Sequence, residues 1–234
     1  MSISGIFSAG GVVMFPLLAF SILAIALILE RIAFWQRVTK RQKRITREVL
    51  KLYPYDAQAA FLKLEQNSDL PIARVFLAAL ELEQPTPEEF RLALESAAQA
   101  ELPLLNRFST VFETIIGASP LLGLLGTILG LIEAFASLRI GDLGGSKTAG
   151  VTGGISEALI STVSGLCVAL FTLLFANTFR GLYRRQLALI QEYGGKLELL
   201  YRRYYAHGRI PFLGMPKAEW RRRGLGSETG AAIQ

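Results

Sequence analysis

The sequence predicts an all-α membrane protein with three transmembrane helices, the second and third extended into the cytoplasm, and a helical cytoplasmic loop. Two observations carry this prediction. Of 234 residues, 51% are apolar and only 19% are charged, whereas a soluble domain is nearer about a quarter charged. The deficit is concentrated in residues 1–29, 114–132 and 158–179, which hold no Lys, Arg, Asp or Glu. Each run reaches the roughly 18 residues that a membrane-spanning helix needs, which excludes an ordinary soluble enzyme. The second observation is where the charge sits. The net charge is +6, yet no basic residue precedes Arg31, and only Arg139 and Lys147 lie between the second and third runs. Cations favour the cytoplasmic side of a membrane, so the asymmetry orients the chain. It also accounts for the basic excess without nucleic acid as a partner.

Taken in order, residues 1–11 are read as a periplasmic N-terminus. They carry no charged side chain, unlike the n-region of a cleaved signal peptide, so the first apolar run is expected to stay as transmembrane helix 1, residues 12–36. Phe34 and Trp35 with Arg31 and Arg37 would lie at the inner headgroup level. Residues 37–107 form a cytoplasmic helical domain: helical spacing over 37–52, 57–66 and 72–82 is punctuated by Tyr53-Pro54-Tyr55-Asp56 and by 67–71. Thr86-Pro87-Glu88-Glu89 reads as a capping box with Pro at the first helical position. From there one helix of about fifty residues, kinked at Pro103, Pro120 or both, is expected to continue through transmembrane helix 2 (108–138). A periplasmic loop (139–151) follows, then transmembrane helix 3 (152–179) running on into a cytoplasmic C-terminal helix and tail (180–234). The loop contains Gly145-Ser146-Lys147-Thr148, but without Gly before the Lys or a preceding strand it reads as a turn rather than a phosphate-binding loop.

Neither Cys167 nor His207 has a companion, so no metal site, disulfide or cofactor is expected. The residue that asks for a reason is Glu157. It opens an apolar helix with no cation until Arg180, roughly 35 Å further along, which places it near the outer edge of the hydrocarbon. A carboxylate there is costly and is met by an inward-facing site or a partner. Ser161, Ser164, Gly165 and Thr172 give the same helix a small, hydroxylated face. In the second helix Gly123, Gly126 and Gly130 supply close contacts, and Thr127 is a hydroxyl among them. Thr127 lies about 9 Å inward of Glu133, and Thr162 about 7.5 Å inward of Glu157, so the two threonines should share a depth. Glu113 and Glu133 read as boundary residues with water near.

Residues 118–132 (ASPLLGLLGTILGLI) resemble the A-P-L-L-G-L-L-G-T-V-x-G-M motif of the ExbB/TolQ/MotA proton-channel family, and 154–166 (GISEALISTVSGL) resemble its G-I-A-E-A-L-x-x-T-A-x-G-L. The three-helix order resembles the ExbB/TolQ branch, with ExbB favoured, over the four-helix MotA branch. The resemblance implies a bacterial inner-membrane proton-channel subunit that is not an enzyme. It would form a homopentamer around a dimer of an ExbD/TolR-type single-span partner, driving a TonB/TolA-type protein, with anionic lipid at the basic face. It assigns the proton path to Thr127, Glu157 and Thr162, and pore lining or helix packing to Asn177 and the small residues above. Phe171 stands where the family often has Pro, removing the proline that would kink the helix there. A Tol-type envelope-maintenance subunit and a structural scaffold without a proton path are the alternatives. An intramembrane hydrolase lacks a catalytic constellation in the apolar runs.

Overall fold

The computed structural model describes residues 10–137 and 147–207, and every regular element among them is helical. In chain order these are α1 (Met14–Leu52), α2 (Ala57–Glu65), α3 (Pro71–Leu80), α4 (Pro87–Leu105), α5 (Ser109–Ala136) and α6 (Lys147–Ala206). Three stretches, Met14–Leu52, Pro87–Ala136 and Gly150–Ala206, contain 18-residue windows of mean hydropathy 2.3, 2.1 and 2.2, enough to cross a membrane. The described residues divide into two compact units, 10–33 with 106–137 and 147–182, and 34–105 with 183–207. The Gly-rich loop expected over 139–151 lies outside the described residues up to its last five, which already belong to α6. The tail after His207 also lies outside them.

In the first unit α1 presents Phe15, Leu18, Ile22, Ile25 and Leu29 outward and buries Leu17, Ala24 and Ile28. That alternation at three and four residues is the mark of a helix with one lipid-facing side. Arg31 is buried in the protein. Its side chain turns inward, 2% exposed, pairs with Glu30 at 2.7 Å and lies over the Phe108 ring at 5.5 Å.

The expected kinked helix of fifty residues is two helices. Pro120 is carried inside α5 and Pro103 inside α4, and the chain breaks instead at Asn106–Phe108. Pro103 removes a helical donor one turn before the break. The turn itself is made by Phe108, whose φ of 68° is left-handed. That conformation costs a side-chain-bearing residue about 1–2 kcal/mol. The Arg31 and Arg107 guanidiniums both lie over its ring, at 5.5 and 4.5 Å, and its carbonyl accepts the Phe112 N–H at 3.0 Å. α6, by contrast, runs uninterrupted through Phe171.

The second unit is an ordinary apolar core. α3 buries Ile72, Val75, Phe76 and Leu80, and Phe90 of α4 stacks on Tyr201 of α6 at 4.1 Å and 5°. The capping box forms as expected: the Thr86 N–H donates to Glu89 at 2.7 Å and the Glu89 N–H to Thr86 Oγ1 at 3.3 Å. Arg74 binds Glu101 through two nitrogens, and buried Gln186 donates to buried Gln42.

Candidate functional site

The candidate site is built by the close approach of α5 and α6. Every third or fourth residue of α5 along the contact is small, Ser119, Gly123, Gly126, Gly130 and Ala134, and the facing row of α6 is Gly154, Ala158, Ser161 and Gly165. A Cβ on Gly123 would lie 3.0 Å from the Ser161 carbonyl and the Thr162 Cα. One on Gly130 would lie 2.6 Å from the Gly154 carbonyl, and one on Gly165 would run into the Ser119 carbonyl. Backbones this near leave room for nothing larger, which is how helices associate where lipid removes the hydrophobic drive.

That approach brings the two threonines together. Thr127 Oγ1 and Thr162 Oγ1 form a hydrogen bond across the pair, so their inferred common depth is observed. Each also reaches carbonyls: Thr127 those of Gly123 at 3.2 Å and Ala158 at 3.3 Å, Thr162 that of Gly123 at 3.1 Å. Ser161 reaches Ala158 O at 3.0 Å and Gly123 O at 3.4 Å. Each hydroxyl has one proton and a carbonyl has two lone pairs, so three hydroxyls that all reach Gly123 O cannot all bond it. The cluster therefore has several nearly equivalent arrangements of its protons.

Glu157 lies in the N-terminal part of α6, beside the C-terminal part of α5, half-buried, with its carboxyl against the backbone of Gly11 and in hydrogen-bonding reach of Glu133 on α5. Sequence reasoning left Glu133 as a boundary residue. The available signal was that both glutamates sit just outside their motif threonines on antiparallel helices. Gly11 gave no signal beyond being a glycine next to another.

The other expected residues separate. Ser164 and Thr172 bond the Ile160 and Val168 carbonyls of their own helix at 2.8 and 2.7 Å, satisfying themselves locally. Ser161 and Gly165 are buried in the helix contact, and Asn177 is exposed. Ser119 was missed: it is fully buried and its hydroxyl has no hydrogen-bond partner. Among the described residues no group of three or more His, Cys, Asp or Glu could hold a metal ion.

Residues 67–192 match the family model described as the MotA/TolQ/ExbB proton channel family. Among curated proteins, the chain is 62% identical to the ExbB-like 3 protein of Synechocystis sp. over 197 residues, covering 84% of this chain and 94% of that one. It is 43% identical to the ExbB-like 1 protein of the same organism, covering 88% and 83%. A shorter match, 36% over 87 residues, covers 37% of this chain and 34% of the biopolymer transport protein ExbB of Xanthomonas campestris.

Proposed function

This chain belongs to the MotA/TolQ/ExbB proton channel family, and from that premise we propose that it conducts protons in a biopolymer-transport complex of the ExbB type. Glu157 takes the proton at the outer end of α6, and the Thr127–Thr162 pair passes it inward. The observation that carries this reading is that pair, a hydroxyl bridge between two helices whose protons can rearrange without breaking the helix contact. In the proposed assembly five copies surround a dimer of an ExbD/TolR-type single-span subunit in the inner membrane, and that dimer takes the proton on. The N-terminus faces the periplasm and the C-terminus the cytoplasm, in keeping with where the cations fall. One charge crossing 100 mV releases about 2.3 kcal/mol, so several protons per cycle suffice to drive a TonB-type protein between two states. The names of the relatives favour that system over a Tol-type one.

The test is proton flux and energised uptake by the assembled complex carrying Glu157→Ala or Thr162→Val. Both variants are expected to assemble and to lose flux. Undiminished flux in both would refute the channel reading and leave a scaffold. Orientation is tested with Ser146→Cys, which should react with an impermeant thiol reagent from the periplasmic side only.

A further inference from the structure

We infer that the Gly10–Gly11 turn ahead of α1 is a seat that positions the Glu157 carboxyl. The inference rests on the proton-carrying reading of Glu157. Gly11 has a φ of +68°, the left-handed region that favours glycine. The stronger constraint is space. A Cβ on Gly11 would overlap Glu157 Oε1 and would stand 2.5 Å from its Cδ and 3.2 Å from its Cγ, and these are the three nearest atoms. The place of the missing side chain at Gly11 is taken by the carboxyl of Glu157.

The turn is fixed rather than loose. The Gly11 carbonyl accepts the Met14 N–H at 3.1 Å, tying it to the first turn of α1. Val13, Met14 and Leu17 then pack with Leu122 of α5, and Val13 Cβ lies 3.5 Å from where a Cβ on Gly126 would stand. Gly10 is closed in as well, its open side filled by Met14 and by Ile160 of α6. The Glu157 carboxyl thus lies between the Gly11 backbone and Glu133, and through this turn the start of α1 meets the proton path of that reading. Gly11 touches no transferred proton in this scheme; it is a positioning residue that sets where the carboxyl points.

The experiment uses the full chain assembled with its partner subunits in proteoliposomes. Gly11→Ala should lower proton flux by about tenfold or more, the scale on which small misplacements of a reacting group act. Gly117→Ala, whose Cβ meets open space, should leave flux unchanged. The deciding variant is Gly11→Ala combined with Glu157→Asp. The aspartate is one methylene shorter and vacates the contested space, so Gly11→Ala should cost no further flux in that background. An equal loss in both backgrounds means that the turn acts through backbone strain and overturns the seat. Carbodiimide labelling of Glu157, read by mass spectrometry, gives a readout independent of flux. Labelling should quicken in Gly11→Ala and not in Gly117→Ala; unchanged labelling with normal assembly also overturns the proposal. Intact flux in Glu157→Gln would instead refute the channel reading, and labelling would still report whether Gly11 positions the carboxyl.

Discussion

Each of the two units of the chain coheres internally by a different means. In 34–105 with 183–207, large side chains fill the interior, with Phe76, Phe90, Tyr53 and Tyr201 buried, and charges pair around it, Arg74 with Glu101 and Arg202 with Glu88. In the other unit, from Ser119 to Ala134 of α5 the side chains buried against α6 are small, and the large ones, Leu121, Leu124, Ile128, Leu159 and Val163, point outward; only toward the start of α5 do Phe112 and Ile115 fill the interior, with Phe112 against Phe179. Water makes burial of large apolar groups favourable in the first case. Lipid gives no such reward, so cohesion there comes from backbone proximity. The proton-carrying groups of the proposal all lie along or beside that stretch of small residues, where hydroxyls can reach carbonyls across a helix contact.

The largest contrast should come from truncating one big side chain in each unit. Phe90→Ala removes a ring that is 1% exposed and stacked on Tyr201, and should cost about 3–5 kcal/mol. It should be read as faster amide exchange throughout α4. Leu121→Ala, a residue 66% exposed in an apolar helix, should leave exchange in α5 nearly unchanged, since lipid is as apolar as leucine. A large loss at Leu121 would mean that a protein surface covers it. The converse substitution reverses the ranking. Gly130→Leu forces a side chain onto the Gly154 carbonyl and should cost about 1–3 kcal/mol or more, seen as a lowered melting temperature of the chain in nanodiscs. Gly117→Leu should be tolerated.

Smaller is the effect at the start of α4. Thr86→Ala removes half of the capping box and should destabilise the helix by about 1 kcal/mol. The Thr86 backbone N–H, and then its hydroxyl, hold Glu89 below the usual carboxylate range. With its folded pKa depressed, this glutamate contributes stability above its unfolded value of about 4.3. That contribution is lost as pH falls below that value and through the lower folded one. Exchange at the first turn of α4 should therefore quicken in acid for the native chain and show no such step in Glu89→Gln. Among the groups packed near Tyr201, burial chiefly pushes its own phenol up, with the Tyr205 phenol and then Glu89 adding to it, so it stays neutral across this range.

Much of this was legible in the residues because the signals were local. The three charge-free runs, the T-P-E-E cap and the glycine spacing of 123, 126 and 130 each state their structure within a few positions. The shared depth of Thr127 and Thr162 followed from counting inward along two antiparallel helices; that they bond each other did not. What could not be read depended on contacts distant in sequence. Phe108 carries no sign of a left-handed turn: of the two arginines over its ring, Arg107 is its neighbour, but Arg31 comes from another helix. Gly11 and Glu133 converge on Glu157 from two other elements, and neither lies within a motif that names it. Pro103 and Pro120 misdirected the kink because a proline predicts weakness in a helix and not where a tertiary contact will use it.

The smallest expected effect separates the two kinds of hydroxyl in the membrane unit. Thr172 and Thr162 are both threonines of α6, ten residues apart, but Thr172 gives its proton to Val168 O in its own helix while Thr162 meets Thr127 and Gly123 O on α5. Replacing Thr172 with Val keeps the shape and loses a bond that the helix backbone had already made unnecessary, since the Val168 carbonyl has its regular helical partner. Its cost should fall at or below the roughly 0.6 kcal/mol average for hydrogen bonds between membrane helices, with proton flux unchanged. Thr162→Val should cost little more in melting temperature, yet abolish flux, because what it removes is a proton position rather than an attachment. Equal flux in the two variants would place the proton path elsewhere and reduce the α5–α6 hydroxyl cluster to packing.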